Sequence, residues 1–131
     1  ALNREQRIKQ TAHADGEDVL IGLEQEPGSG GKESAESTVR NLAGFRVRAE
    51  RVTGDKETRA EPYAAQVEAG NVYLVRGAWN REFMGEHETF PAGTYKDQVD
   101  AAAGAFTRLQ TRKRENLLAP AGERQSNWAA I

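Results

Sequence analysis

The short apolar runs along the chain predict strands. Residues 19–23 (VLIGL) are apolar without interruption and are followed by a turn at Pro27-Gly28, a pattern typical of a strand covered on both faces of a parallel sheet. FRVRAERV alternates apolar and polar residues, which indicates a half-exposed strand. NVYLVR predicts a further strand. The predicted strands therefore cover residues 18–25, 45–52 and 71–76.

Between these runs the apolar residues recur every three or four positions, which is typical of amphipathic helices. Pro62 is expected near the first turn of one of them, where proline is tolerated. Strands that alternate with helices indicate an α/β domain with a mainly parallel, three-stranded sheet. The predicted helices cover residues 3–13, 33–43, 56–69, 79–90 and 96–113.

Composition limits the class of protein. The chain has 131 residues, 37% hydrophobic and 29% charged, and its net charge is −2, which does not suit a protein that binds nucleic acid by bulk charge alone. It contains no cysteine, so thiolate metal sites are excluded. No apolar run approaches the roughly 20 residues of a membrane span, so no membrane association is expected. We expect one domain over residues 1–114 and a flexible tail over 115–131.

The stretch GLEQEPGSGGKES (residues 22–34) resembles a phosphate-binding loop only superficially. A Walker loop has its first glycine five residues before the Gly-Lys pair and a hydroxyl residue after it. Those positions are Glu26 and Glu33, and carboxylates repel phosphate. The pattern favours a strand-to-helix turn.

Two pairs of acidic residues are the candidate chemistry. Glu24 and Glu26 point the same way at the carboxyl end of a strand, where open α/β sheets bind ligands. Asp97 and Asp100 are three residues apart and share one face of a helix. Four carboxylates that converge would bind a divalent cation, and oxygen ligands suit Mg²⁺ or Mn²⁺. The alternative, equally open from spacing alone, is that Asp97 caps its helix and the others are solvated surface charges.

Basic residues after the second strand are candidates for DNA contacts. Lys56 and Arg59 lie one helical turn apart and could bind a DNA phosphate. Alternatively, they pair with neighbouring acids on a solvated face, namely Asp55, Glu57 or Glu61. His87 lies on an apolar helical stripe and is interpreted as a packed histidine.

The segments IGLEQEPGSGGK, AGFRVRAERVTGDKETRAEPYAAQVEAGNVYLVRGAWNREF and FPAGTYKDQVDAAAGAF together resemble the carboxyl-terminal nuclease domain of tailed-phage large terminase subunits. The resemblance covers residues 5–107. It implies a ribonuclease H-like fold whose carboxylates bind Mg²⁺ or Mn²⁺ and cut double-stranded DNA during genome packaging. It also implies other terminase subunits and the portal as partners, in the cytoplasm of a bacterial host.

By position, the resemblance implies that Glu24 is the acid ending the central strand, with Glu26 as its neighbour. Relatives often carry His-Asp-Asp, two further residues and Asp at the start of the last helix. Here the corresponding residues are YKDQVD (95–100), which keep Asp97 and Asp100 and change the first two positions. Either could be the main ligand, and we favour Asp97 because it lies nearest the sheet end.

The resemblance implies that the family's first catalytic aspartate would lie on a strand before the first residue of this chain. We therefore expect the chain to be the carboxyl-terminal part of a nuclease domain that alone binds metal weakly and cuts DNA poorly or not at all. An exposed sheet edge could also lead to self-association. The alternative function is a non-catalytic fragment or interaction module of a packaging complex.

Overall fold

The structure, a computed structural model, describes residues 1–118 and divides into two compact units, one over Ala1–Thr53 and one that begins at Gly54. Of the predicted tail, residues 115–118 continue the last helix and 119–131 lie outside the described residues. The single domain expected over residues 1–114 stays a prediction. Within the described residues the elements are α1 (Arg4–Asp15), β1 (Leu20–Gln25), α2 (Ser29–Asn41), β2 (Arg46–Arg51), α3 (Lys56–Glu68), α4 (Asn80–Thr89) and α5 (Asp97–Leu118).

The first unit contains the sheet. Strands β1 and β2 pair in parallel, in a register that runs from Leu20 opposite Arg46 to Gln25 opposite Arg51. Both strands and their parallel direction are confirmed. The expectation that β1 is covered on both faces is wrong: Gly22 is exposed and none of the six residues is fully buried. Within residues 1–118, β2 is the only strand paired with β1, so the sheet lacks the neighbours that would enclose it.

Several of the buried side chains of the first unit are small. Ala12 of α1 and Ala35 of α2 are buried, and Leu42 follows directly after α2 as the largest fully buried apolar side chain of the described chain. The buried Thr38 hydroxyl donates a hydrogen bond to Oε1 of Glu5, 2.8 Å away. This bond links α2 to α1 without leaving the hydroxyl unsatisfied inside the unit.

In the second unit α3 packs against α5. Ala60 and Tyr63 of α3 meet Val99 and Ala103 of α5 in a buried cluster, and the two alanines let the helices approach closely. Pro62 is the seventh residue of α3, so the expectation that it lies near the first turn is wrong. In this position it costs the helix one backbone hydrogen bond, because proline has no N–H group.

The third predicted strand is wrong. Residues 71–76 form no strand, and within residues 1–118 the sheet contains only β1 and β2. The Asn80 side chain bonds the backbone at the end of this segment. It accepts a hydrogen bond from the Gly77 N–H and donates one to the Val75 carbonyl, 3.1 Å away. Tyr73 is 77% exposed and Val75 65% exposed, and both line an apolar groove of about 730 Å³.

The helices agree with the predicted pattern, and the last is longer than expected, since α5 continues to Leu118. None of the helices in residues 1–118 combines the length and apolar character that crossing a membrane requires.

Candidate metal centre

The first turn of α5 is held by a glutamate from α4. Glu86 is 8% exposed, and its Oε1 accepts hydrogen bonds from the backbone N–H groups of Gln98 (2.6 Å) and Val99 (3.0 Å). Its Oε2 accepts a bond from Nε2 of Gln98, 3.0 Å away. Helix N-termini leave their first N–H groups without partners, and Lys96, the residue before α5, has no side-chain acceptor to offer. The cap that the alternative interpretation assigned to Asp97 is therefore supplied by Glu86.

Asp97 and Asp100 lie in this first turn but in different environments. The Asp100 side chain is 6% exposed and that of Asp97 is 91% exposed. Asp100 is thus not a solvated surface charge, whereas Asp97 extends into solvent. Because residues three apart share a helix face, the two carboxylates lie beside each other.

The amino end of α3 carries the two cations that meet these acids. Nζ of Lys56 lies 2.8 Å from Oδ1 of Asp97 and 3.8 Å from Oδ2 of Asp100. Arg59 donates a hydrogen bond to the same Oδ2 from its Nη2 nitrogen, 3.1 Å away. The residues predicted to bind DNA therefore contact the residues predicted to bind metal.

A cap fixes this end of α3 as well. The Asp55 carboxylate accepts a hydrogen bond from the Thr58 N–H at 2.7 Å. That hydrogen bond lowers the pKa of Asp55 from its usual value. Of the acids considered as partners for the cations, Asp55 serves as the cap that begins their helix, and the charge of Arg59 also contributes to its lowered pKa.

The carboxylates of Asp97 and Asp100 supply part of the ligand set that a divalent cation needs. One ammonium lies between two carboxylates, so the oxygens of Asp97 and Asp100 converge on a single positive charge, as they would around Mg²⁺ or Mn²⁺. Among the side chains that the structure describes, those of residues 1–111, no three acidic or histidine groups form a cluster that could hold a metal. Two protein ligands with waters completing the shell suit Mg²⁺, which keeps several waters when it binds.

The other predicted ligands lie in the first unit. Glu24, the fifth residue of β1, is exposed and stands opposite Glu50 of β2 in the strand register. Residues opposite each other on neighbouring strands point to the same face, so Glu50 is a carboxylate neighbour that the parallel pairing alone could have identified. Glu26 lies just beyond the strand and lines a pocket of about 400 Å³, together with Gln25, Pro27, Gly28, Ser29, Lys32, Arg51, Val52 and Thr53.

The glycine-rich stretch is the predicted strand-to-helix turn only in part, because α2 begins at Ser29 rather than at residue 33 and therefore includes Gly30 and Gly31. Gly28 precedes α2 with a φ of 95°, a conformation that favours glycine. A methyl group at Gly31 would overlap the carbonyl oxygen of Glu26. These two glycines are therefore explained by backbone geometry.

His87 is a packed histidine, as predicted. Its Nε2 accepts a hydrogen bond from the Tyr63 hydroxyl at 2.9 Å, and its Nδ1 donates one to the Phe83 carbonyl at 2.8 Å. Both ring nitrogens are thus used inside the unit. Burial raises the pKa of the Tyr63 hydroxyl, which keeps it protonated as the donor.

The fold and site together define an α/β protein with parallel strands and an acidic cluster at the start of a helix. The family model of the terminase ribonuclease H-like domain matches residues 4–109, and the chain belongs to this family. The resemblance read over residues 5–107 is confirmed, as is the ribonuclease H-like α/β class. No curated protein matches the chain, and no solved structure does.

The structure thus brings together Asp97, Asp100, Lys56 and Arg59. Glu24 and Glu26 belong to the other unit, and their convergence with the two aspartates stays a prediction. Sequence reasoning missed Glu86. Two features of the sequence could have identified it. It is a carboxylate on the apolar stripe of α4, three residues after Phe83, and the next helix has no capping side chain of its own.

Proposed function

We propose that the chain is the metal-dependent endodeoxyribonuclease domain of a phage large terminase subunit, which cuts double-stranded DNA during genome packaging. Asp97, Asp100 and Glu24 are the proposed Mg²⁺ or Mn²⁺ ligands, with Glu26 as a further candidate. Family membership supports the proposal. The observation that carries it is the approach of the Asp97 and Asp100 carboxylates to one ammonium.

The two aspartates would have different roles. Asp100 is buried and bonded to Arg59, so its carboxylate is fixed before any ligand binds. Asp97 is exposed, and its carboxylate could turn toward the phosphodiester once its ion pair with Lys56 is released. We therefore assign Asp100 as the anchoring ligand and Asp97 as the adjustable one. A divalent cation bound there would polarise the phosphate and lower the pKa of an attacking water.

Lys56 links metal binding to DNA binding in this proposal. Its ammonium neutralises the carboxylates in the metal-free protein. A divalent cation held by the two carboxylates would displace Lys56, whose charge would then be available to a DNA phosphate. Arg59 stays on the buried Asp100, where leaving would strand a charge inside the unit.

The partners follow from the family. We propose other terminase subunits and the portal as partners, in the cytoplasm of the bacterial host. Within residues 1–118, β1 and β2 pair only with each other, so each strand has a further edge at which a second copy could pair.

The second candidate is a non-catalytic interaction module of the packaging complex. The ion pairs favour it, because Lys56 and Arg59 already compensate both aspartates and make them a clamp between α3 and α5. In this candidate the acids stabilise the unit and bind no metal.

Cleavage of supercoiled plasmid in Mn²⁺ separates the two functions. The 131-residue chain and a longer chain, extended upstream by a strand that carries an aspartate, are each compared with Asp100→Asn and Glu24→Ala variants. The control is Glu88→Gln, which changes an exposed acid of α4. The nuclease proposal expects cutting by the longer chain that both site variants abolish and the control retains. Absence of cutting by the longer chain would support the interaction module.

A further inference from the structure

Glu86 is a buried acid to which the proposed reaction assigns no role. Its carboxylate accepts three hydrogen bonds, two from the backbone of Gln98 and Val99 and one from the Gln98 side chain. Both of its oxygens are engaged, so it is not placed to bind a metal itself. We propose that Glu86 is a positioning residue that fixes Asp97 and Asp100 in the geometry that a divalent cation requires. This inference rests on the proposed nuclease function.

The positions of the hydrogen bonds support a positioning role. Gln98 and Val99 are the two residues that lie between Asp97 and Asp100 in the chain. Holding their N–H groups fixes the backbone that sets the separation of the two aspartates. The bond from the Asp100 N–H to the Lys96 carbonyl, at 3.0 Å, closes the same turn.

The Glu86 carboxylate is a strong cap for the start of α5. A carboxylate that accepts backbone N–H bonds forms charge-assisted hydrogen bonds, which are shorter and stronger than neutral ones. Its negative charge also lies at the positive end of the α5 dipole. Since Lys96 cannot cap the helix, removal of Glu86 leaves the first N–H groups without that acceptor and frees the turn to fray.

The geometry separates positioning from ligation. Asp97 and Asp100 face the cations of α3, whereas Glu86 reaches the backbone of the same turn from α4. Loss of Glu86 would keep both aspartate side chains, but their carboxylates would no longer be held in the same relative position. Groups that orient metal ligands in this way typically change metal affinity by about 10- to 100-fold when they are mutated.

The test measures Mn²⁺ affinity by electron paramagnetic resonance, together with the thermal unfolding midpoint and amide exchange of Gln98 and Val99. Glu86→Ala is compared with Glu88→Ala, a truncation of an exposed acid on the same helix. Glu86→Ala is expected to weaken Mn²⁺ binding by about tenfold or more and to speed exchange at both amides. Glu88→Ala is expected to change neither.

A second variant distinguishes positioning from general stability. Lys96→Ser places a hydroxyl cap directly before α5, and in the Glu86→Ala background it should restore much of the Mn²⁺ affinity lost relative to Lys96→Ser alone. Should Glu86→Ala fail to fold, Glu86→Gln, which keeps one acceptor oxygen, takes its place and is expected to give a smaller loss.

Two results overturn different claims. If folded Glu86→Ala binds Mn²⁺ as the wild type does while Asp100→Asn does not, the positioning role is wrong and the proposed metal site stands. If Asp100→Asn also binds Mn²⁺ like the wild type, the proposed metal site itself is wrong.

Discussion

Lys56 and Asp97 form a 2.8 Å ion pair that joins the start of α3 to the start of α5. The same ammonium lies 3.8 Å from Asp100, so one cation lies between two carboxylates that the sequence marked as metal ligands. A lysine in this position competes with any divalent cation for the acids. Without a bound metal, the negative charge of the two carboxylates is therefore neutralised by a side chain of the protein itself.

Removal of Lys56 should strengthen metal binding. The Lys56→Gln variant is expected to bind Mn²⁺ about two- to fivefold more tightly, because a largely exposed ion pair contributes up to about 1 kcal/mol. Calorimetric titration measures the change. Lys32→Gln is the matched control, since Lys32 forms only a 3.9 Å pair with Glu36 on the exposed face of α2. Equal affinity in the wild type and Lys56→Gln would contradict the competition.

Removal of Arg59 should destabilise the second unit. Arg59→Ala takes away the closest cation of the buried Asp100, and uncompensated burial of a charge is expected to cost about 2 kcal/mol in the free energy of unfolding. Urea denaturation measures the loss. Adding Asp100→Asn should recover part of the stability, because the residual charge is then gone. A double variant no more stable than Arg59→Ala would show that Asp100 is not the source of the cost.

Gly30 and Gly31, neighbours at the start of α2, allow a comparison of two alanine substitutions. Gly31→Ala places a methyl group against the Glu26 carbonyl and is expected to cost about 1–3 kcal/mol of stability. At Gly30 a methyl group meets nothing within 4 Å, and Gly30→Ala should be neutral or stabilising by up to about 1 kcal/mol. Thermal denaturation of the two variants checks the contrast. A similar midpoint for both would contradict the close approach.

Tyr63 makes the stability of the folded protein depend on pH in the alkaline range. Burial raises the pKa of its hydroxyl in the folded protein, so its contribution is fully present below the unfolded pKa of about 10 and is lost as pH rises through the higher folded value. Unfolding midpoints measured from pH 8 to pH 11 should fall less steeply for Tyr63→Phe. At pH 8 this variant should be about 1 kcal/mol less stable, because His87 loses its hydrogen bond. Parallel pH profiles would contradict the assignment.

Local sequence patterns correctly predicted the helices, whose backbone hydrogen bonds are local, and the strands β1 and β2, which pair with each other. The third predicted strand is absent from the described residues. The Val75 and Gly77 backbone there bonds the Asn80 amide, an interaction between side chain and backbone that periodicity does not register. Helix spacing placed Asp97 and Asp100 together correctly. Spacing cannot show that Lys56 would meet them, because that contact joins residues 41 positions apart.

Binding of Mn²⁺ by the wild-type chain and by Asp100→Asn, followed by electron paramagnetic resonance, tests the metal site most directly. Glu88→Gln is the control for loss of one negative charge from an exposed position. We predict weak binding by the wild type and by Glu88→Gln, and loss of that binding in Asp100→Asn. Mn²⁺ binding by Asp100→Asn equal to that of the wild type would contradict the metal site at the start of α5.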